Sequence, residues 1–155
     1  MEPAILVRPR RRCAGWRRAP ETIRMPSSTT RLRVRYAETD RMGVTYYANY
    51  LVWFEVARTD LMRTMGWTYR EMEELGVFLP VIDARCEYRK STKYDDEIEI
   101  ETTGEILSPV RLAFDYTVRA AGADAPAAVG RTVHAATTAE GRPCRLPERV
   151  RGMFA

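Results

Sequence analysis

The chain has 155 residues, of which 45% are hydrophobic and 30% are charged. A chain of this length is expected to form one domain, which excludes an enzyme with a separate cofactor domain, and its composition excludes a disordered or fibrous protein. The formal charge of +4 is unevenly placed, because the first 24 residues hold seven arginines and two glutamates, or +5, and the remainder is therefore −1. A near-neutral body lacks the basic surface of a typical nucleic-acid-binding domain.

The three cysteines, Cys13, Cys86 and Cys144, are too widely spaced for a metal knuckle or a redox pair. The spacing predicts free thiols in a reducing compartment. No apolar run approaches the roughly 20 residues that cross a bilayer. We therefore expect a cytoplasmic protein with no membrane partner.

Residues 1–30 mix arginine, proline and small polar residues without helix or strand periodicity, and residues 26–30 are loop-like. We predict a disordered basic extension over residues 1–30 and one domain over residues 31–155. A nucleic-acid arm and an organelle-targeting peptide are the functional alternatives. The favoured interpretation is that Met25 is the true start and that the extension is rarely made.

The first predicted strand contains Leu32, Val34 and Tyr36, which alternate with arginines. A loop with Glu38, Asp40 and Gly43 follows. A long helix is predicted from about Tyr47 to Met65, because apolar residues recur there at steps of three and four. Its main apolar stripe is Tyr50, Leu51, Phe54, Ala57, Leu61 and Met65.

Gly66 can end this helix, and the capping-box spacing of Thr68 and Glu71 predicts a second helix that ends near Gly76. Beyond it the apolar period changes from helical to alternating. Strands are predicted around Ile98 and Ile100, from Leu112 to Val118, and less clearly over residues 77–87 and 127–138. Ser108-Pro109 and residues 122–126 favour turns.

One long helix and about five strands without regular alternation indicate an α+β fold, with the helix packed on an antiparallel sheet. Tyr46, Trp53 and Val56 lie partly outside the main stripe of the helix. More helix surface therefore needs burial than one small sheet covers, which predicts a second subunit.

The loop before the long helix combines groups that suit attack on an activated carbonyl. A helix N-terminus offers free N–H groups to an oxyanion, and Gly43 allows the loop to fold back so that Asp40 faces the same point. The carboxylate can activate water or attack directly. Asp before a helix is more often a cap than a catalyst, so this pattern alone leaves both interpretations open.

The order of residues adds to this argument. The run VRYAETDRMGVTYYANYLVWFEVAR, residues 34–58, resembles the signature of the 4-hydroxybenzoyl-CoA thioesterase family, in particular its acyl-CoA thioesterase branch related to the Tol-Pal-associated thioesterases. KYDDEIEIET and GRPCRLPERV resemble the family's strand and closing segment, so the likeness extends from about residue 31 to the C-terminus. The resemblance implies the hotdog fold: a long central helix wrapped by a five-stranded antiparallel sheet, with sheets paired across a dimer.

The resemblance also implies roles for individual residues. Asp40 matches the catalytic carboxylate, acting as nucleophile or general base, and the backbone amide of Tyr47 matches the oxyanion donor, with Gly43 in the turn between them. Many relatives have histidine in place of Tyr47, so a histidine-assisted step is not expected. Glu38 stands where Asp is common and is expected to shape the loop.

Further candidates for substrate contact are Tyr46, Asn49, Glu55, Arg89 and Lys90. By the resemblance, Glu55 can approach the acyl pocket; the favoured alternative is that it pairs with Arg58 or with a neighbouring strand. Arg89 and Lys90 belong to a basic loop that suits the phosphates of coenzyme A, or that serves solubility alone.

The sequence therefore predicts an acyl-CoA thioesterase that uses no cofactor and no metal and forms a homodimer or homotetramer. The sole histidine, His134, is expected to be structural. The alternatives are a non-catalytic hotdog subunit that binds acyl-CoA or acyl carrier protein, a protein whose basic extension binds nucleic acid, and, less favoured, a hotdog dehydratase.

Overall fold

The computed structural model describes residues 26–154, which form a five-stranded antiparallel sheet with one long helix packed on it. The strands lie in the order β1-β3-β4-β5-β2, so β1 and β2 are the edges. In chain order the elements are β1 (Ser27–Arg33), a short 3-10 helix (Tyr36–Glu38), α1 (Asn49–Thr64), α2 (Tyr69–Glu74), β2 (Val81–Tyr88), β3 (Glu97–Ser108), β4 (Arg111–Ala120), β5 (Ala128–Ala135) and α3 (Glu148–Met153). The predicted α+β architecture is confirmed.

The first strand begins earlier than the sequence predicts. Ser27 pairs with Thr103, and the register continues to Arg33 opposite Glu97. Residues 27–30 are therefore part of the sheet and not loop, and the domain boundary at residue 31 is set four residues too late. The polar side chains of this segment give no apolar alternation by which a strand could be predicted. Backbone hydrogen bonds between strands form without apolar side chains. The rest of the predicted extension, residues 1–25, lies outside the described residues.

Helix α1 spans Asn49–Thr64, close to its predicted bounds, and ends before Gly66, whose φ is +76°. Its buried face differs from the predicted stripe. Leu51 is 41% exposed, whereas Trp53 is 2% exposed. The face is turned toward Trp53 because the indole N–H donates to the Glu38 carboxylate and so has a polar partner inside the protein. The buried residues of α1 are Tyr50, Trp53, Phe54, Ala57, Leu61 and Met62.

The capping box that predicts α2 is present: the Thr68 hydroxyl accepts from the Glu71 N–H, and the Glu71 carboxylate accepts from the Thr68 N–H. β3 and β4 cover the predicted alternating segments. The less regular predictions overshoot: β2 covers Val81–Tyr88 and β5 covers Ala128–Ala135. The predicted start of β2 and the predicted end of β5 lie outside these strands. There, Phe78 and Thr137 form only an isolated bridge.

The centre of the core is the contact between α1 and the middle of the sheet. Phe54 stacks on Tyr116 with ring centroids 4.2 Å apart and planes 9° from parallel. A Cβ at Gly130 on β5 would overlap the Phe54 ring, so this strand position has no room for a side chain. The close approach of helix and sheet fixes the position of the N-terminus of α1, where the candidate site lies.

Apolar side chains remain exposed on two surfaces. Leu51, Val52 and Val56 are 36 to 47% exposed along α1, and Val81 and Ile82 are about half exposed on the edge strand β2. Of the three residues predicted to need a second subunit, Tyr46 and Val56 are exposed, whereas Trp53 is already buried within the described chain.

Candidate active site

The loop that carries Asp40 is a tight hairpin. The Asp40 N–H donates to the Val44 carbonyl at 2.9 Å, and the Gly43 N–H donates back to the Asp40 carbonyl at 2.9 Å. Gly43 has φ +75°, a conformation that glycine adopts without a steric cost. The turn therefore determines where the Asp40 carboxylate lies.

The two carboxylate oxygens of Asp40 have different surroundings. Oδ1 accepts the Met42 N–H at 2.8 Å, which holds the side chain against its own turn. Among residues 26–154, no group donates a hydrogen bond to Oδ2. One oxygen is thus anchored and the other is available to water or to a substrate.

Glu38 lies beneath this loop, with only 5% of its surface exposed. Its carboxylate accepts the Arg35 N–H at 2.8 Å, the Arg35 guanidinium at 3.0 Å and the Trp53 indole N–H at 3.1 Å. Burial acts to raise the pKa of Glu38, but these hydrogen bonds and the Arg35 charge together hold the pKa below its usual range. Glu38 is therefore a buried anion that joins the loop to α1.

The main-chain carbonyl of Glu38 makes a second connection to the helix. It accepts the Tyr46 N–H and the Asn49 side-chain amide, each at 2.8 Å. Asn49 is the first residue of α1. Side chain and main chain of Glu38 together hold the Asp40 loop against the start of α1.

The chain enters α1 with free N–H groups. Ala48 already has helical φ and ψ, and no acceptor for the Tyr47 or Ala48 N–H lies within the described residues. The Tyr47 carbonyl, by contrast, has a partner on β2, since the Tyr88 hydroxyl donates to it at 3.0 Å. Burial raises the pKa of Tyr88 to about 12, so this hydroxyl keeps its proton. The peptide that carries the Tyr47 N–H is held at its own carbonyl, that of Tyr46, which accepts the Asn49 N–H at 3.0 Å, so the Tyr47 N–H is positioned but unused.

Buried threonines support the other side of the loop. The Thr45 N–H donates to the Thr92 carbonyl at 2.8 Å, and the Thr45 and Thr92 hydroxyls lie 2.7 Å apart. The Tyr50 hydroxyl lies 3.1 Å from the Thr92 hydroxyl, and burial raises the pKa of Tyr50. Loop, α1 and the segment after β2 therefore meet in one hydrogen-bonded group.

A cavity of about 370 Å³ opens where these parts meet. Its lining includes an acidic residue, three tyrosines and two cationic residues. It is lined by Asp40, Met42, Val44, Thr45, Tyr47, Tyr50, Tyr88, Arg89, Lys90 and Ser91.

Four candidates from the sequence, Asp40, Tyr47, Arg89 and Lys90, come together in this cavity. Gly43 lies in the turn beside it. The structure does not bring the other three candidates to the cavity wall.

Each of these three residues has a physical reason to lie elsewhere. The Asn49 amide is bonded to the Glu38 carbonyl, and the Tyr46 ring packs on the Tyr47 ring with centroids 4.5 Å apart. Glu55 lies eight residues beyond Tyr47, roughly 12 Å along the helix at its rise per residue, and lines a different cavity. The expected pairing of Glu55 with Arg58 is also absent, since no ion pair joins them within the described chain.

Sequence reasoning missed Thr45, Tyr88 and Thr92. Tyr88 is 41 residues from the Tyr47 carbonyl that it contacts, and no local pattern connects the two. Thr92 follows the basic loop of Arg89 and Lys90, and nothing in the sequence indicates that its hydroxyl is buried against that of Thr45. A tyrosine at the end of an edge strand and a buried threonine are recognisable only once the strand order is known.

Comparison with known proteins supports the same assignment. The family model of the thioesterase-like superfamily matches residues 34–154. The chain belongs to this superfamily. The resemblance to hotdog thioesterases is therefore confirmed, and the relation to the Tol-Pal-associated branch stays a prediction.

Individual relatives of this thioesterase-like chain agree in sequence and fold. It is 40% identical over 94 residues to a Bacillus subtilis protein named "Putative acyl-CoA thioesterase YneP", covering 61% of this chain and 68% of that protein. The structure of the protein TT1821 from Thermus thermophilus matches at 35% identity with a TM-score of 0.76, covering 82% of this chain and 96% of that one. A DHNA-CoA thioesterase from Staphylococcus aureus matches at 36% identity with a TM-score of 0.73, covering 77% and 80%.

Two further observations concern the described residues of this superfamily member. None of their helices is both long and apolar enough to cross a membrane. No three His, Cys, Asp or Glu side chains among them are grouped to hold a metal ion. His134 instead lies in the core, as expected, with one ring nitrogen 3.0 Å from the Leu79 carbonyl and the other 3.0 Å from the Thr132 hydroxyl.

Proposed function

We propose that the protein hydrolyses acyl-CoA thioesters to a free carboxylic acid and coenzyme A. The observation that carries this proposal is that Asp40 and Tyr47 line one cavity, and that Oδ2 of Asp40 and the N–H of Tyr47 have no hydrogen-bond partner within residues 26–154. Membership of the thioesterase-like superfamily and the names of the relatives support it.

In this proposal the thioester carbonyl oxygen accepts the Tyr47 N–H. Either Oδ2 of Asp40 removes a proton from water while the water oxygen attacks the carbonyl carbon, or Oδ2 attacks and forms an anhydride that water then cleaves. Negative charge develops on the carbonyl oxygen, and the Tyr47 amide stabilises it. The carbon–sulfur bond breaks, and coenzyme A leaves as the thiol after it takes up a proton.

Cationic side chains at the cavity suit the phosphates of coenzyme A. The guanidinium of Arg89 pairs with Glu87 at 3.1 Å in an exposed position, where such a pair is weak. Lys90 has no ion-pair partner within the described residues. Lys90 is thus the more available cation for a phosphate oxygen, and Arg89 can exchange its partner for one.

We also propose that a second copy of the chain borders this cavity. Tyr88 lines the cavity and belongs to β2, an edge of the sheet. The edge carries half-exposed Val81 and Ile82, which a partner strand would cover. This arrangement supports a homodimer, or a homotetramer in which the exposed face of α1 is also buried.

A thiol-release assay over a panel of acyl-CoA esters, from acetyl to palmitoyl and including benzoyl, tests this proposal. We expect continuous release of coenzyme A with at least one ester. The same acyl groups on acyl carrier protein show which carrier is used. Tight binding of acyl-CoA without thiol release would instead support the non-catalytic subunit.

A further inference from the structure

A second, larger cavity of about 660 Å³ lies further along α1. It shares no lining residue with the cavity at Asp40. Its wall combines residues of α1 and α2 with the segments before β2 and after β5. The lining includes the ionisable residues Glu55, Arg58, Tyr69 and Glu73 and the apolar run Phe78, Leu79 and Pro80.

Arg58 brings an unpaired positive charge to this cavity. Its Nε is buried and has no hydrogen-bond partner among the described residues, and none of their carboxylates is close enough for an ion pair. Arg63, one turn later on the same helix, pairs with Asp60 at 2.9 Å. The buried Nε–H has no acceptor inside the described protein, and the part-buried positive charge has no carboxylate partner there, so this position favours an anionic ligand.

A second buried donor lies beside Arg58. The Tyr69 hydroxyl is buried and has no partner within residues 26–154. Burial raises the pKa of Tyr69, so the hydroxyl keeps its proton and can donate it. Two unused donors of this kind fit the oxygens of a carboxylate.

The buried neighbours of Arg58 supply no negative charge, and the two carboxylates of the cavity, Glu55 and Glu73, form no ion pair with it. Burial lowers the pKa of His134 to about 4, so the ring is neutral at pH 7, and both its nitrogens already have partners. Burial raises the pKa of Tyr116 to about 12, so this phenol is neutral too. Glu55 and Glu73 are exposed and form the rim.

We propose that this second cavity binds a small organic carboxylate, with its carboxylate on Arg58 and Tyr69 and its apolar part on Phe78, Leu79 and Pro80. Arg58 supplies one positive charge for one negative charge, and the acidic rim disfavours a phosphate dianion. The volume lies within the range of roughly 300–1,000 Å³ typical of small-molecule sites. The proposal does not depend on the hydrolysis at Asp40.

Titration calorimetry of the full chain with benzoate and its neutral analogue benzamide tests this site. We expect benzoate to bind at least tenfold more tightly than benzamide. Arg58→Met should weaken benzoate binding tenfold or more, and Tyr69→Phe severalfold. The matched control Arg63→Gln, on the same helix, should leave benzoate affinity unchanged.

Asp40→Asn shows which of the two cavities holds benzoate. Benzoate bound in the second cavity should keep its affinity in this variant. The proposal is overturned if benzoate gives no binding, if benzamide binds equally well, or if Asp40→Asn and not Arg58→Met abolishes binding. Should Arg58→Met fail to fold, Tyr69→Phe decides: unchanged benzoate affinity in a folded Tyr69→Phe protein rejects the site.

Discussion

Glu38 is the residue on which the geometry of the candidate active site most depends. Its carboxylate has three hydrogen-bond donors and its carbonyl has two, and these connect the Asp40 loop to Trp53 and to Asn49. It lines no cavity wall with Asp40, so it acts by positioning. Its effect on catalysis should be indirect and accompanied by an effect on stability.

Glu38→Gln should lower the free energy of unfolding by about 1–3 kcal/mol, because the neutral amide leaves at least one buried donor without its acceptor. kcat should fall more than KM rises. Denaturant unfolding and steady-state kinetics measure both effects. The exposed Glu140→Gln is the control and should stay within about 0.5 kcal/mol of the parent.

The stability difference between the parent and Glu38→Gln should depend on pH in a defined direction. The pKa of Glu38 is lowered on folding, so its stabilisation is present above the unfolded pKa and is lost as pH falls through the folded value. The difference in unfolding free energy between the parent and Glu38→Gln should therefore shrink as the pH falls below 4.5, the ordinary pKa of glutamate. A difference that grows in acid contradicts the proposed role of this anion.

His134 provides a second prediction at this scale, because it is the sole histidine. Burial lowers its pKa from 6.5 to about 4, so between these values the unfolded chain binds more protons than the folded protein. Stability should fall as pH falls from about 6.5 to 4, by up to about 3 kcal/mol. Unfolding free energies of His134→Gln, measured across this pH range, should fall less with pH than those of the parent. An equal fall in both proteins excludes His134 as the cause.

Helices and strands with a regular apolar repeat could be predicted from the sequence, whereas strands formed mainly through backbone pairing could not. α1, β3 and β4 bury one face each, so their apolar residues repeat visibly. β1 begins with Ser27-Ser28-Thr29-Thr30, whose pairing with β3 leaves no apolar signal. β2 is an edge with mostly exposed residues, so its bounds were also missed.

The same distinction applies to the candidate site. Asp40, Gly43 and Tyr47 lie within one short loop, and their relation could be inferred from local geometry and from the family signature. Tyr88 and Thr92 reach the site only because β2 lies on this side of the sheet. Glu55 lines the second cavity together with residues of α2, a juxtaposition that no sequence pattern indicates, and its contact with substrate stays a prediction.

The packing of α1 on the sheet gives a prediction for Gly130. An added Cβ would overlap the Phe54 ring and come within 2.9 Å of the Arg85 carbonyl, so Gly130→Ala should destabilise the protein by about 1–3 kcal/mol. Gly152→Ala in α3 is the matched control, since nothing lies within 4 Å of its added Cβ. Thermal unfolding should show a lower Tm for Gly130→Ala only; equal Tm values contradict this account of the packing.

At the scale of the whole molecule, the exposed edge β2 predicts self-association. Light scattering should give a mass of twice 17.8 kDa or a multiple of that dimer. Ile82→Asp places a charge on the half-exposed edge and should weaken the dimer at least tenfold, whereas Leu107→Asp, an exposed apolar position on β3, should not. A monomeric parent protein rules out the proposed pairing.

The central claim is that the Asp40 carboxylate performs the chemistry of thioester hydrolysis. Its most direct test is the rate of thiol release by Asp40→Asn, which preserves the shape of the side chain and removes its charge. With the best acyl-CoA substrate, kcat should fall by about 10²–10⁴-fold while the unfolding curve is retained, and the exposed Asp124→Asn should keep the parent rate. A folded Asp40→Asn protein that releases thiol at near the parent rate would contradict the account.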